Sequence, residues 1–204
     1  SGLDGTDDGL IVNVPQRLVF HFADGRLQAH YPAAVGGPAW QTPLGDFTIV
    51  MKEENPTWDV PLSIQDEMRR AGKRVVKSVP PGPANPLGRF WLSIYSFATH
   101  GCIRLHPDDI VALFQQVAAG DRGRIIYEPV LVAYDGRDVY LEVHPDPYRR
   151  APDPMERALD LVGQAGLAGL IDLTEVAHAV RRAEGLATPV TALTGPGGPR
   201  LVAP

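Results

Sequence analysis

Proline and glycine interrupt this chain so often that few long helices can run through it. The 204 residues include 20 Pro and 21 Gly. Proline lacks the N–H that an interior helical turn needs, and glycine is entropically costly there. The expectation is a mostly-β core of short strands joined by turns, with only a few helices. A hydrophobic fraction of 44% against 21% charged residues supports one well-buried domain plus an appendage. The formal charge of -5 supplies no basic stripe to neutralise phosphates, which argues against nucleic acid as the main partner. The pairs Arg69-Arg70, Arg149-Arg150 and Arg181-Arg182 read as solvated surface.

Along the chain, Leu10 to Val14 is β-rich and stops at Pro15. Arg17 to Phe22, then Asp24-Gly25, then Leu27 onward reads as strand, hairpin turn, strand. A loop and turn from Tyr31 through Gly36-Gly37-Pro38 and Thr42-Pro43-Leu44-Gly45 lead into a strand over Asp46 to Val50. Residues 52–88 are turn-rich around a short helix expected from Ser63 to Ala71, and long loops of this kind often carry function. Pro107 with Asp108 and Asp109 opens an amphipathic helix ending near Gly120. Strands follow at Arg124 to Tyr127, Val130 to Tyr134 and Val139 to Val143. From Pro152 the period becomes helical, with Met155, Ala158, Leu159 and Val162, then Leu173, Val176, Ala177 and Val180, on apolar faces. The expected domains are therefore a catalytic core over 1–148 and a helical C-terminal extension over 149–204 with a flexible tail.

The single cysteine, Cys102, excludes an intrachain disulfide framework and any multi-thiolate zinc or iron-sulfur site. It sits in Thr99-His100-Gly101-Cys102-Ile103-Arg104-Leu105. Taken alone, a lone cysteine is more often a buried, inert thiol than a nucleophile. A reactive thiol needs an imidazole or a cationic field to favour its thiolate, and His100 and Arg104 both lie close in sequence. Gly101 removes side-chain bulk beside the nucleophile, so backbone N–H groups could approach a developing oxyanion. Arg104 offers a planar fork to a substrate carboxylate, or alternatively an internal ion pair with Asp108 or Asp109. His100 reads equally well as base or as a scaffold that orients the loop, and His106 as structural or solvent-facing.

That heptapeptide resembles the signature of the L,D-transpeptidase catalytic domain, the YkuD-like family. The resemblance extends through Thr42-Pro43-Leu44-Gly45-Asp46-Phe47 and Asn85-Pro86-Leu87-Gly88-Arg89-Phe90 and covers roughly Gly9 to Val143. It implies a YkuD-like β-sandwich core and a cell-envelope enzyme. In such an enzyme the Cys102 thiolate attacks a meso-diaminopimelate carbonyl of a peptidoglycan stem tetrapeptide and releases the terminal D-alanine. The thioester is then resolved by an amine, giving a crosslink or the attachment of a protein or amino acid, or by water, giving L,D-carboxypeptidase action. The implied site is Cys102 and His100 for catalysis, Gly101 for the oxyanion loop, and Arg104 and Thr99 for substrate binding. Stem peptides are the implied partner, carbapenem-type inhibitors are expected ligands, and neither cofactor nor metal is expected.

The resemblance also implies an upstream histidine, in a His-Gly-Thr-like segment, as general base. Here the chain passes directly from Arg89-Phe90-Trp91-Leu92 to Ser93-Ile94-Tyr95, and the nearest upstream histidines, His21 and His30, lie far outside the pattern. Either residues belonging between Leu92 and Ser93 are missing from this sequence, or a true deletion leaves Cys102 with His100. The second case favours a weakly active protein or a catalytically silent peptidoglycan-binding domain. A papain-like peptidase would need downstream partners, for which His144 and His178 are poorly placed at a strand end and in a helix. A metal site built on Cys102, His100 and His106 lacks an evident fourth ligand. No run of about eighteen apolar residues and no signal-peptide pattern occurs, and the opening Ser1-Gly2-Leu3, without initiator Met, reads as a trimmed start to an exported protein.

Overall fold

In the computed structural model, which describes residues 8–94 and 101–192, the first strands pair with their sequence neighbours. Strand β1 (Gly9–Asn13) runs antiparallel to β2 (Leu18–Ala23), and β2 antiparallel to β3 (Arg26–Ala34). Asp24 and Gly25 turn the second hairpin with φ of 54° and 64°, the pair of positive dihedrals that matches a two-residue loop to strand twist. Next comes β4 (Gly45–Glu54), then a small ribbon of β5 (Trp58–Asp59) and β6 (Ser78–Val79) with helix α1 (Leu62–Arg70) between its strands. Strands β7 (Phe90–Ile94) and β8 (Arg104–Leu105), helix α2 (Pro107–Gln116) and strand β9 (Arg122–Ile126) complete the first of two compact units, which ends at Ile126.

Seven strands form one sheet in the order β7-β4-β9-β1-β2-β3-β8, with β1 and β9 parallel and the other neighbours antiparallel. The mostly-β expectation holds. Alternation along the strands buries Leu10, Val12, Val19, Tyr31, Phe47, Ile49 and Ile125, and α2 with its C-cap adds Leu113 and Val117 to the core. Polar ties fix α2 to the sheet. Buried His21 bonds through Nδ1 to Gln116 Oε1 at 3.0 Å, and Gln116 donates to the Tyr31 hydroxyl at 3.3 Å. The Lys52 ammonium donates to the Phe114 and Val117 carbonyls, which the helix end leaves without intrahelical partners. Leu92 and Ser93 are consecutive residues of β7 paired with Lys52 and Met51.

The second unit, from Tyr127 onward, holds β10 (Val130–Tyr134), β11 (Val139–Val143), helices α3 (Pro154–Gln164) and α4 (Leu173–Arg182), and β12 (Thr188–Pro189). Val130, Val139, Leu141 and Val143 of the sheet pack against Ala158 and Val162 of α3 and Val176 and Ala179 of α4. The division between compact units therefore falls at Ile126 and Tyr127 rather than at 148. The β10–β11 hairpin buries its apolar face against these helices, so the extension is a small α/β unit rather than a purely helical one. Of the expected helical stripes, Leu159 and Leu173 stay exposed, at 39% and 58%, while Ala179, outside those stripes, is buried. Asp153 and Asp172 cap the two helices by accepting N–H groups of Met155 and Glu156, and of Thr174 and Glu175. The C-terminal tail lies outside the described residues.

A polar knot holds the start of this unit. The Tyr127 hydroxyl donates to Asp146 and accepts from the Tyr148 N–H at 2.9 Å, while Asp146 also accepts from the N–H groups of Arg150 and Ala151. Burial, aided by the adjacent carboxylate, pushes the Tyr127 phenol up to about 12. Burial opposes ionisation of Asp146, but the hydrogen bonds from Tyr127, Ala151, Arg150 and Arg149 outweigh it and hold its carboxyl below the usual range. A depressed folded pKa contributes stability above the unfolded value of about 3.9 and loses it as pH falls through the folded value. Asp146→Asn is expected to cost about 1–3 kcal/mol in urea unfolding at neutral pH, a difference that shrinks below about pH 4. A difference that grew on acidification would contradict this account.

Candidate active site

Two short stretches bring Cys102 to the edge of the large sheet. β8 pairs with the end of β3, Ala33 opposite Leu105 and Ala34 opposite Arg104, so the cysteine stands two residues before a strand fixed by its backbone. Immediately after β8, α2 begins with Pro107 at its first turn and Asp108 and Asp109 facing its positive N-terminus. His106 is the cap, its Nδ1 accepting the Asp108 N–H at 3.4 Å, with its side chain 67% exposed. The order of loop, Cys102 and Pro107 helix is the one expected.

The loop from Gly36 to Gly45 clamps the residue before Cys102. Thr42 is buried, with 1% of its surface accessible, and its hydroxyl oxygen accepts the Gly36 N–H at 2.9 Å while donating to the Gly101 carbonyl at 3.0 Å. Gly101 has φ +92°, and a Cβ there would meet the Gln41 carbonyl oxygen at 2.4 Å and Thr42 Cα at 2.7 Å. At Gly36 a Cβ would stand 2.0 Å from the Trp40 carbonyl oxygen and 2.9 Å from Gly101 Cα. Both positions are glycine because two backbones pass too closely for any side chain.

Cys102 is exposed and opens onto a cavity of about 900 Å³. Gly101 and Arg104 share its lining, Trp58, Phe90, Trp91 and Ile94 give it apolar walls, and buried core residues such as Val12 and Ile49 form its floor. A volume of this size suits a ligand larger than an amino acid. Arg104 is exposed and, among the described residues, forms no ion pair; Asp108 instead lies 3.7 Å from His106. Thr99 and His100 lie outside the described residues. Among the described residues no cluster of three potential metal ligands occurs. His144 is engaged with Glu142 at 2.5 Å and His178 lies 3.9 Å from Glu175.

In the sequence, Thr42 stands within a motif but shows no role of its own. Its only local signal is a threonine before a proline in a glycine-flanked loop, and the partner that gives it meaning is 59 residues away. Trp58 and the apolar wall of β7 are likewise legible there only as strand or loop residues.

A family model described as the L,D-transpeptidase catalytic domain (YkuD) matches residues 7–132. The probable L,D-transpeptidase ErfK/SrfK of Escherichia coli (strain K12) is 33% identical over 193 aligned positions, covering 85% of this chain and 62% of the relative. The probable L,D-transpeptidase YbiS of the same organism is 31% identical over 160 positions, covering 69% and 52%. This chain spans between half and two thirds of the length of these relatives. Since 85% of 204 residues is about twenty short of 193 positions, about twenty positions in the first alignment hold no residue of this chain, and the second shows a similar shortfall. The first alignment also takes in too much of the chain to stop at residue 132, so the likeness continues into the second unit. The solved structure of L,D-transpeptidase 3 from Mycobacterium tuberculosis with a faropenem-derived adduct covers 58% of this chain and 59% of its own, at 18% identity and a TM-score of 0.43. That match is too loose for residue-level correspondence.

Gly101→Ala is expected to destabilise the first unit by about 2 kcal/mol or more, because it combines a positive φ with a collision against backbone. The fall shows as a lower midpoint in thermal unfolding followed by circular dichroism, and an unchanged midpoint would remove the close approach from the account.

Proposed function

Since this chain belongs to the YkuD family of L,D-transpeptidase catalytic domains, we propose that it is an envelope cysteine acyltransferase acting on peptidoglycan stem peptides. The observation that carries this reading is the exposed lone thiol of Cys102 beside a large apolar cavity, in the Thr99 to Leu105 motif. The thiolate attacks the carbonyl of the diaminopimelate residue in a stem tetrapeptide, the carbonyl π pair moves to oxygen, and collapse breaks the C–N bond to D-alanine, which leaves with a proton. An amine of an acceptor stem peptide, protein or amino acid then takes the acyl group from sulfur. With water as acceptor the same site performs L,D-carboxypeptidase chemistry.

Within the motif four residues besides Cys102 have a part. His100 is the imidazole nearest in sequence to the thiol and takes its proton. The backbone beside Gly101 faces the developing oxyanion, and the Arg104 guanidinium, exposed on β8, meets a substrate carboxylate. Thr99 contacts the substrate from the other end of the motif.

A second reading, a catalytically silent peptidoglycan-binding domain, is favoured by the shortfall of about twenty positions against the relatives and by a cavity with no histidine among its described lining residues. We place that shortfall between Leu92 and Ser93, where both flanks keep the family pattern. Incubation with a carbapenem followed by intact-mass measurement separates the two readings. Enzyme chemistry predicts one covalent adduct per chain, absent from Cys102→Ala and slowed about 100-fold or more in His100→Ala if His100 supplies the base. No adduct at high inhibitor concentration, together with retained binding to insoluble peptidoglycan, supports the silent domain.

A further inference from the structure

We infer that Thr42 is a positioning residue for the acyl-transfer step, holding the Gly101–Cys102 peptide so that the Cys102 N–H serves as an oxyanion donor. The inference rests on the reading of Cys102 as nucleophile. Its basis is the two-sided hydrogen bond of one buried hydroxyl, which accepts from Gly36 N–H and donates to Gly101 C=O.

The Gly101 carbonyl and the Cys102 N–H belong to the same peptide group. No peptide bond among the described residues is cis, so the two point in opposite directions across one plane. Fixing the carbonyl against Thr42 therefore fixes the N–H away from it. Gly101 makes that control necessary. With no Cβ it can rotate its following peptide more freely than any other residue, and the flipped plane would present a carbonyl oxygen where the N–H now points. An oxygen there would repel the charge that builds on the substrate carbonyl, whereas an N–H stabilises it. A buried hydroxyl that must satisfy two backbone groups at once selects one of the two planes.

Sequence position adds a reason why threonine fits. Thr42 precedes Pro43, which biases its backbone toward extended geometry. Its β-branched side chain has few rotamers, so the hydroxyl direction is set before any substrate arrives. The Gly36 N–H then consumes one oxygen lone pair and orients the hydroxyl proton toward Gly101.

The test compares two reactions of the same sulfur. Carbapenem acylation forms an Sγ–C bond, moves the carbonyl π pair onto oxygen and opens the ring C–N bond, the nitrogen taking up the proton lost by the thiol; an oxyanion develops. Alkylation by iodoacetamide displaces iodide at saturated carbon and develops none. In Thr42→Ala and Thr42→Val the limiting acylation rate at saturating carbapenem is expected to fall at least about tenfold, with half-saturation and the alkylation rate changed less than about threefold. Thr42→Ser keeps the hydroxyl and is expected to restore acylation to within about threefold of wild type. Equal losses in acylation and alkylation, or a serine variant as slow as alanine, would overturn the proposal in favour of a packing role. Should alanine and valine fail to fold, the serine variant decides by itself. If wild-type protein forms no adduct, the nucleophile reading fails; if wild type and Thr42→Ala acylate alike, only this inference does.

Discussion

The pairing of Ala33 with Leu105 and Ala34 with Arg104 joins the last strand of the N-terminal hairpins to a two-residue strand some seventy positions later in the chain. Everything at the site depends on that junction. It sets the register of Arg104, places Cys102 just beyond the sheet edge and delivers Pro107 to the start of α2. A two-residue strand has little pairing energy of its own, so its hold is shared with neighbours. The Thr42 hydroxyl ties the Gly101 carbonyl from one side, and the capped helix anchors the chain from the other.

The same sheet serves as core and as active-site support. Val12 and Ile49 are almost wholly buried, yet they form the floor of the cavity onto which Cys102 opens. The Cys102 loop over such a floor is positioned by a surface that cannot shift without disturbing the packing of the unit. The polar ties follow the same logic: His21, Gln116 and Tyr31 connect α2 to two strands, and Lys52 closes the carbonyls at its end.

Much of this architecture is legible in the amino-acid sequence. The Asp24-Gly25 hairpin, the Pro107 helix and the strands at 130–134 and 139–143 follow from turn chemistry and alternation, which act over a few residues. The motif around Cys102 points to the family because those residue types lie next to one another. Less legible is the role of Thr42, since its partners at Gly36 and Gly101 are 6 and 59 residues away. The boundary after Ile126 escapes sequence patterning for a related reason: strand patterns at 130–143 look alike whether they extend the large sheet or build a second unit. The exposed Leu159 and Leu173 show the same limit, because helical periodicity identifies an apolar face but not how wide a face its partner covers.

By itself, the amino-acid sequence determined the local elements, the candidate residue Cys102 and the family of the chain, because turn formation, helix capping and a contiguous motif are short-range. Only the tertiary structure decided which groups hold the backbone just before Cys102 in place. A hydrogen bond across 59 residues depends on how separate segments come together, and nothing in the threonine or in the glycine announces the other.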